Sequence, residues 1–535
     1  MAPRTLITAI LSCSMLTQLF ASPVQARTAA SAQTVTTTTK TTTKTETTTT
    51  KSAPPAGQPL DNLVNAWLNR PEIKHSFVGV EVMELPSGRI MYSSNGNRRF
   101  APASTTKVLT TACAYTLLGT SYTYHTQLYA GGKVAGDTVS GDLVIVPSED
   151  PSLRAEDLRG LLSSSLSQHK IRKVEGGVSL AAPKGGVDYF SPNWIIEDFG
   201  QDWMPVCSDL VVDRNISQGV VNFKGIRSVN VGANDNFNGM ERSLMNSEEA
   251  AGWITYNPYA REMQAFIGAG VSPKSPLSVS DPNEFNTAMA ADTVENLGIH
   301  LGKQQNSAPI ELLGDHVSKA LPILIEHCLH RSDNLYAQQL LRTLALPPPN
   351  SKVSGNVGLL EDAGVNRLSH WLSSIGIQPQ EAILFDGCGL SRKNGISPHA
   401  LNMVLRYMAG PKVDGPYLSL LKSSGTVTRK GQFMFKTGSM DTVRSIAGVL
   451  GTAGGQQLAV AIIINDHMQN VKGLGGTLSD LVGLLNEITN ISYVPVKAAD
   501  GKDTGATKPV VELTHPAVSY GTYSHQHTSH KKRRH

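Results

Sequence analysis

Beyond a short stretch near its start, the chain has no run of about 18 apolar residues, so no later segment is long and apolar enough to cross a bilayer as a helix. Cysteine is scarce too: Cys13 lies in that opening stretch, which leaves Cys113, Cys207, Cys328 and Cys388 among 535 residues. Four thiols in so long a chain make no disulfide framework, although a single bridge would suit an oxidising compartment. Their spacing matches no zinc motif, and buried small hydrophobes is the plainer expectation. An excess of one charge is missing as well. The formal net charge is +4, and removing the eight net positive charges of Arg4, residues 27–51 and Lys531–Arg534 leaves −4 for the remainder. A basic groove for nucleic acid is therefore not expected.

What is present at the ends is compositionally distinct. Arg4, the apolar stretch Leu6–Phe20 and the small-residue ending Val24-Gln25-Ala26 read as a secretory signal over residues 1–26, cleaved after Ala26. Residues 27–59 are dominated by Thr with interspersed Lys, have almost nothing to bury, and are expected to form a disordered tether. Residues 495–535 are read as a disordered tail with His525, His527, His530 and His535 around the Lys531–Arg534 cluster. Four adjacent cations oppose a metal ion there, so a solvated tail is favoured over a metal site. No metal or other cofactor is expected.

Between these ends, helical spacing of Leu60, Leu63, Val64 and Trp67 precedes the alternating Val78, Val80 and Val82, and a return strand follows Pro86-Ser87-Gly88. Far downstream, Gly431–Gly438, Ser445–Leu450 and Leu458–Asn465 read as three strands before a helix from Leu474 to Ile488. Two early and three late strands, flanked by a helix from each end, predict an α+β domain with one central antiparallel sheet assembled from both ends of the chain. That domain is split over 60–121 and 309–494. Residues 122–308, with many short strand-like runs broken by Gly, Pro and Asn, are expected to be inserted β-rich satellite domains.

Three strings carry chemistry: Ser104-Thr105-Thr106-Lys107, Ser332-Asp333-Asn334 and Lys436-Thr437-Gly438. Each alone is weak, since Ser-x-x-Lys recurs at Ser167, Ser419 and Ser529 and Ser-x-Asn recurs elsewhere. In order, they supply a nucleophile with an adjacent amine, a polar relay and a cationic strand edge, the parts that acyl transfer through a serine ester requires. Ser104 is expected in the first turn of a buried helix, where unpaired N–H groups favour negative charge, with Lys107 on the same face. A neutral Lys107, depressed by desolvation and by Lys436, would accept the Ser104 proton. Ser332 would pass a proton onward, and the Asn334 amide would hold both Lys107 and a substrate carbonyl. Lys436, Thr437, Gly438 and Ser439 suit a carboxylate, and the backbone N–H groups of Ser104 and Ser439 would hold the oxyanion.

With these strings and Phe100-Ala-Pro-Ala-Ser104, Gly141-Asp-Leu, Asp150-Pro-Ser-Leu153, Trp194 with Asp198, and Asp386-Gly-Cys-Gly-Leu-Ser-Arg392, the chain resembles the class C penicillin-binding D-alanyl-D-alanine carboxypeptidase/endopeptidases of low molecular mass. The resemblance implies a serine β-lactamase/transpeptidase-like domain acting on peptidoglycan stem peptides and cross-links in the periplasm, without a transmembrane anchor after signal cleavage, and covalent inhibition by β-lactams. It implies that Ser104 is acylated, Lys107 is its base, Ser332 and Asn334 form the relay, and Lys436-Thr437-Gly438-Ser439 receives the terminal D-Ala carboxylate. Arg392 and Asp188 would then face the diaminopimelate side chain. The chain departs from the family pattern at Val146-Pro147-Ser148-Glu149, at Cys388 and at Asp441. Two other readings use the same strings: a serine β-lactamase, disfavoured by the long insertion and Arg392, and a non-catalytic wall-binding protein, disfavoured by intact Ser104, Lys107 and Lys436.

Overall fold

The computed structural model describes residues 57–181, 191–195, 198, 201, 203–204, 206–217, 226–231, 253–257, 262–267, 277–279, 281–346, 360–423, 432–467, 474–499 and 501–514. In chain order, helix α1 (Leu60–Leu68) leads into strands β1 (Phe77–Leu85) and β2 (Ile90–Ser94) and helix α2 (Thr106–Leu118). An inserted region then contributes β3 (His125–Ala130), β4 (Leu143–Val146), α3 (Ala155–Gln168), β5 (Val178–Leu180), α4 (Pro282–Asn296) and β6 (Glu311–Val317). The chain returns through α5 (Leu321–Arg331), α6 (Asn334–Ala345), α7 (Leu360–Ser374) and α8 (Pro398–Met408). It finishes with β7 (Lys422–Ser423), β8 (Phe433–Met440), β9 (Val443–Gly451), β10 (Gln457–Asn465), α9 (Leu474–Asn486), β11 (Ile488–Lys497) and β12 (Asp503–Leu513).

The central sheet has the order β7-β8-β9-β10-β1-β2 and is antiparallel throughout. Strand β10 shows why its sequence is apolar almost without a break. Leu458, Val460, Ile462 and Ile464 enter a core shared with α1 and α9, whereas Ala459, Ala461 and Ile463 enter a second core shared with α2 and α8. With both faces covered, the usual polar half of the alternation disappears. Helix α2 is the counterpart among helices: Thr106 to Tyr115 are all buried. Its hydroxyls are satisfied locally, as where Thr110 Oγ1 donates to Gly387 O at 2.7 Å and Thr111 Oγ1 to Lys107 O at 2.6 Å.

The inserted region is not purely β. Alongside a four-stranded sheet in the order β6-β3-β4-β5 and a five-stranded sheet built from strands between Ile216 and Val279, it packs α3 and α4 against its core. Its sheet also takes in β6, which pairs with β3 from Glu311↔Ala130 to Val317↔His125, so the return to the central domain falls after Val317 and not at residue 309 as expected. Leu158, Leu161, Leu162 and Leu166 supply the helical stripe of α3 that a reading by strand-like runs passes over.

Residues 495–513 correct the expectation of an unstructured tail beginning at 495. Strands β11 and β12 form an antiparallel hairpin from Ile488↔Leu513 to Lys497↔Asp503, and Gln58–Pro59 pairs on its outer side. Val511 and Leu513 are buried against the α1 and α9 core, whereas the far end of the hairpin is mostly exposed. The signal, most of the tether, and the histidines and basic cluster of the tail lie outside the described residues. No described helix is long and apolar enough to cross a membrane.

Candidate active site

The turn that carries Ser104 forms just after the isolated bridge of Phe100 to Ile396. Ala103 takes φ 49°, a short 3-10 turn covers Ala103–Thr105, and α2 continues directly from it. Ser104 is half-buried at the head of this helix, where backbone N–H groups lack intrahelical acceptors. The turn is tied to the sheet because Thr105 Oγ1 and Ser445 Oγ both donate to Pro102 O, at 2.7 and 2.6 Å. Strand β8 passes so close that a Cβ on Gly438 would lie 2.6 Å from Pro102 O and 3.0 Å from Ser104 N. Only glycine permits that approach.

Lys107 is fully buried one turn on. Its Nζ donates to Asn334 Oδ1 at 2.6 Å and to Cys388 O at 2.6 Å, and stands 3.0 Å from Ser104 Oγ. Two acceptors and the serine thus surround one nitrogen.

The second lysine sits across the Ser332 turn. Ser332 ends α5 in the left-handed region (φ 57°), and Asp333 caps α6 through its carboxylate, which accepts from Leu335 N and Tyr336 N at 3.1 and 3.3 Å. Lys436 Nζ donates to Ser332 Oγ at 2.8 Å and to Thr437 O at 2.7 Å. Burial and the neighbouring Lys107 charge push the Lys436 ammonium down to about 7. Along β8 the strand alternation leaves Thr437 and Ser439 exposed while Lys436 and Gly438 point inward.

The loop from Asp386 to Arg392 closes the site on the side of the Cys388 carbonyl. Asp386 is fully buried and accepts five hydrogen bonds, from Gly389 N (2.8 Å), Ser391 N (2.6 Å), Asn394 Nδ2 (2.7 Å), Trp194 Nε1 (2.8 Å) and Cys388 Sγ (3.6 Å). These bonds fold the loop so that the Cys388 carbonyl reaches Lys107. Gly389, at φ 90°, lies against Ala103 O where a side chain would collide. Arg392 does not point free into solvent: its guanidinium meets Asp441 at 2.6 Å, both side chains about half exposed. Asp188 lies outside the described residues.

Several contacts have no signature in the three strings. Asn334 Nδ2 donates to the backbone carbonyl of Trp203 at 2.5 Å, so the amide bridges Lys107 and the inserted region. Glu149, in the segment that departs from the family pattern, is buried at φ 64° and pairs with buried Arg342 of α6 at 3.1 Å. Backbone carbonyls carry no residue-type signal, so the roles of Cys388 and Trp203 were unreadable. Asp386 belongs to a motif legible in the sequence, but its part in the site follows only from its hydrogen bonds.

A sequence profile of the D-Ala-D-Ala carboxypeptidase 3 (S13) family matches residues 60–477. Among curated relatives, the D-alanyl-D-alanine carboxypeptidase DacB of Haemophilus influenzae is 24% identical over 421 residues, covering 73% of this chain and 86% of that protein. A D-alanyl-D-alanine carboxypeptidase of an Actinomadura species is 23% identical over 454 residues, covering 76% of this chain and 80% of that one. The crystal structure of penicillin binding protein 4 (dacB) from Haemophilus influenzae superposes with a TM-score of 0.63 at 22% identity, covering 79% of this chain and 98% of that chain.

Proposed function

Since the chain belongs to the D-Ala-D-Ala carboxypeptidase 3 (S13) family and is a serine-type D-Ala-D-Ala carboxypeptidase/endopeptidase, we propose that Ser104 is the residue it acylates and Lys107 the base that activates it. The observation that carries this assignment is the surround of Lys107 Nζ: Ser104 Oγ at 3.0 Å, with Asn334 Oδ1 and Cys388 O each at 2.6 Å. Ser104 Oγ attacks the carbonyl carbon of the penultimate D-Ala while its proton passes to the Lys107 amine. The oxyanion is held by the N–H groups of Ser104 and Ser439, next to which Gly438 makes its close approach. As the C–N bond breaks, the leaving amine takes a proton delivered through Ser332, and terminal D-Ala or the amine of a cross-link departs. Water then cleaves the Ser104 ester, regenerating the hydroxyl and releasing a carboxylate.

In this reading the Lys436 ammonium, with Thr437 and Ser439, receives the terminal carboxylate. Arg392 serves the substrate side chain from the mouth of the cleft, and Asp188 is its proposed acidic companion. The substrates are peptidoglycan stem peptides and cross-links, met in the periplasm after removal of residues 1–26, and β-lactams acylate Ser104 in their place. A β-lactam's amine stays tethered to the acyl group after ring opening, so the ester is trapped. The test is mass spectrometry after fluorescent penicillin: label on wild type and none on Ser104→Ala is expected. Label on both would move the nucleophile elsewhere, and rapid release of hydrolysed drug would favour a β-lactamase. Incubation with purified muropeptides then separates loss of terminal D-Ala from cleavage of cross-links.

A further inference from the structure

We infer that the inserted region supplies a working part of the acylation site, with Arg214 as the positioning residue of the Ser332-Asp333-Asn334 turn. Arg214 Nε lies 2.6 Å from Asp333 Oδ2, and the Asp333 side chain is only 2% exposed. This contact joins residues 119 positions apart and reaches the middle residue of the relay. Asp333 itself touches no reacting atom. It stands between Ser332, which accepts from Lys436, and Asn334, which accepts from Lys107.

The local backbone is shaped for this reach. Asp213, Arg214 and Asn215 take φ 47°, 62° and 53°, three successive non-glycine residues in the left-handed region. Each such residue is disfavoured, and a run of them persists only where surrounding contacts hold it. Here the holding contacts are known. Asn215 Nδ2 donates to Val206 O at 2.7 Å and to Ser208 Oγ at 2.9 Å, and its Oδ1 accepts from Val212 N at 3.2 Å. With Asn215 locked, Arg214 is aimed outward from the turn toward α6.

Asp333 needs the cation. A buried carboxylate without a charge partner neutralises or drags its surroundings toward water. Burial pushes its pKa up, yet the His327 hydrogen bond, the Arg214 charge and the Tyr336 N–H hold it below the ordinary carboxylate range. His327 Nε2 shares the same carboxylate oxygen at 3.3 Å while its ring stacks on Tyr336, and Arg214 adds the permanent charge at 2.6 Å. Lys107 and Lys436 are committed to their own acceptors. Removing Arg214 therefore frees the carboxylate to protonate or swing. Ser332, the left-handed residue before it, and Asn334, the first helical residue after it, then lose their fixed aim. A second strut from the same region, Trp203 O on Asn334 Nδ2, acts on the other side of the turn.

The inference rests on the reading of Ser104 as nucleophile, and the experiment separates the two. Arg214→Lys and Arg214→Gln are compared with wild type in the full chain, measuring the second-order rate of labelling by fluorescent penicillin, kcat and KM on a D-Ala-D-Ala peptide, and Tm. Expected is a fall of roughly 10- to 100-fold in acylation and kcat for Arg214→Gln, with KM within about twofold because Lys436 still holds the carboxylate. Arg214→Lys should recover most of the loss. Adding Asp333→Asn to Arg214→Gln should also recover part of it, because asparagine still caps α6 and brings no unpaired charge. Wild-type rates in Arg214→Gln overturn the inference, as do equal losses in the Lys and Gln variants that track Tm alone. Failure of wild type to label overturns the Ser104 reading instead.

Discussion

Asn334 Oδ1 accepts a 2.6 Å hydrogen bond from Lys107 Nζ across 227 positions of sequence. The same amide gives its nitrogen to Trp203 O, so its orientation is fixed from both ends. Asn334→Ala removes one acceptor from the lysine and frees its side chain to turn from Ser104. The expected outcome is a fall of about 100-fold in penicillin labelling with little change in Tm, read from gel fluorescence time courses.

Gly438→Ala places a methyl group 2.6 Å from Pro102 O and 3.0 Å from Ser104 N. Ser445 Oγ lies nearer still, and the two backbone atoms cannot rotate aside. The variant should lose about 1–3 kcal/mol of stability and acylate at a small fraction of the wild-type rate. Denaturant melts and labelling rates check the two effects separately.

Lys436, brought down to about 7 by burial and by Lys107, should leave its mark on pH profiles. If the ammonium form captures the substrate carboxylate as proposed, kcat/KM for a peptide with a free C-terminus should fall as pH rises through about 7. A C-terminally amidated peptide should lack that limb. The unfolded chain keeps its lysine protonated up to the ordinary lysine range, whereas the folded chain releases that proton near 7. Between those values the unfolded state binds more protons, so this group makes stability rise with pH across that window. Lys436→Met should flatten both curves.

Asp441 occupies Arg392 at 2.6 Å, yet the pair is half exposed and should contribute no more than about 1 kcal/mol to stability. Asp441→Asn is therefore expected to melt within about 2 °C of wild type. If Arg392 meets a substrate carboxylate, kcat/KM for peptides with an acidic side-chain terminus should rise several-fold in the variant and become more sensitive to salt. Peptides with that carboxylate amidated should show no change.

The parts of the fold that follow from side-chain pattern were readable. The alternation of Val78, Val80 and Val82 and the apolar density of Leu458–Ile464 mark strands of one sheet, and the order of the three strings places Ser104, Lys107, Asn334 and Lys436 near one another. Contacts made by backbone atoms or by isolated charges were not. Cys388 and Trp203 act through carbonyls that every residue owns, and Arg214 looks like any surface arginine until its turn is seen. The hairpin after residue 487 was missed for a related reason: between its buried base and its tip, Pro495, Gly501 and Gly505 punctuate a polar stretch that reads as loop. Helices α3 and α4 were missed because short strand-like runs on either side dominate the composition of the insertion.

Strand β1 is held by β10, with Phe77 opposite Asn465, and this wide separation bears on how the protein comes into being. Pairings this distant slow folding, because ends so far apart must meet before any contact rewards them. A polypeptide made from its N-terminus first carries its serine helix early and receives Asn334, Cys388 and Lys436 only much later. Until the final third has arrived, the Ser104 hydroxyl lacks its surround and is an ordinary alcohol, so on the role proposed for Ser104 the nascent chain is neither a reagent toward its surroundings nor a target for β-lactams.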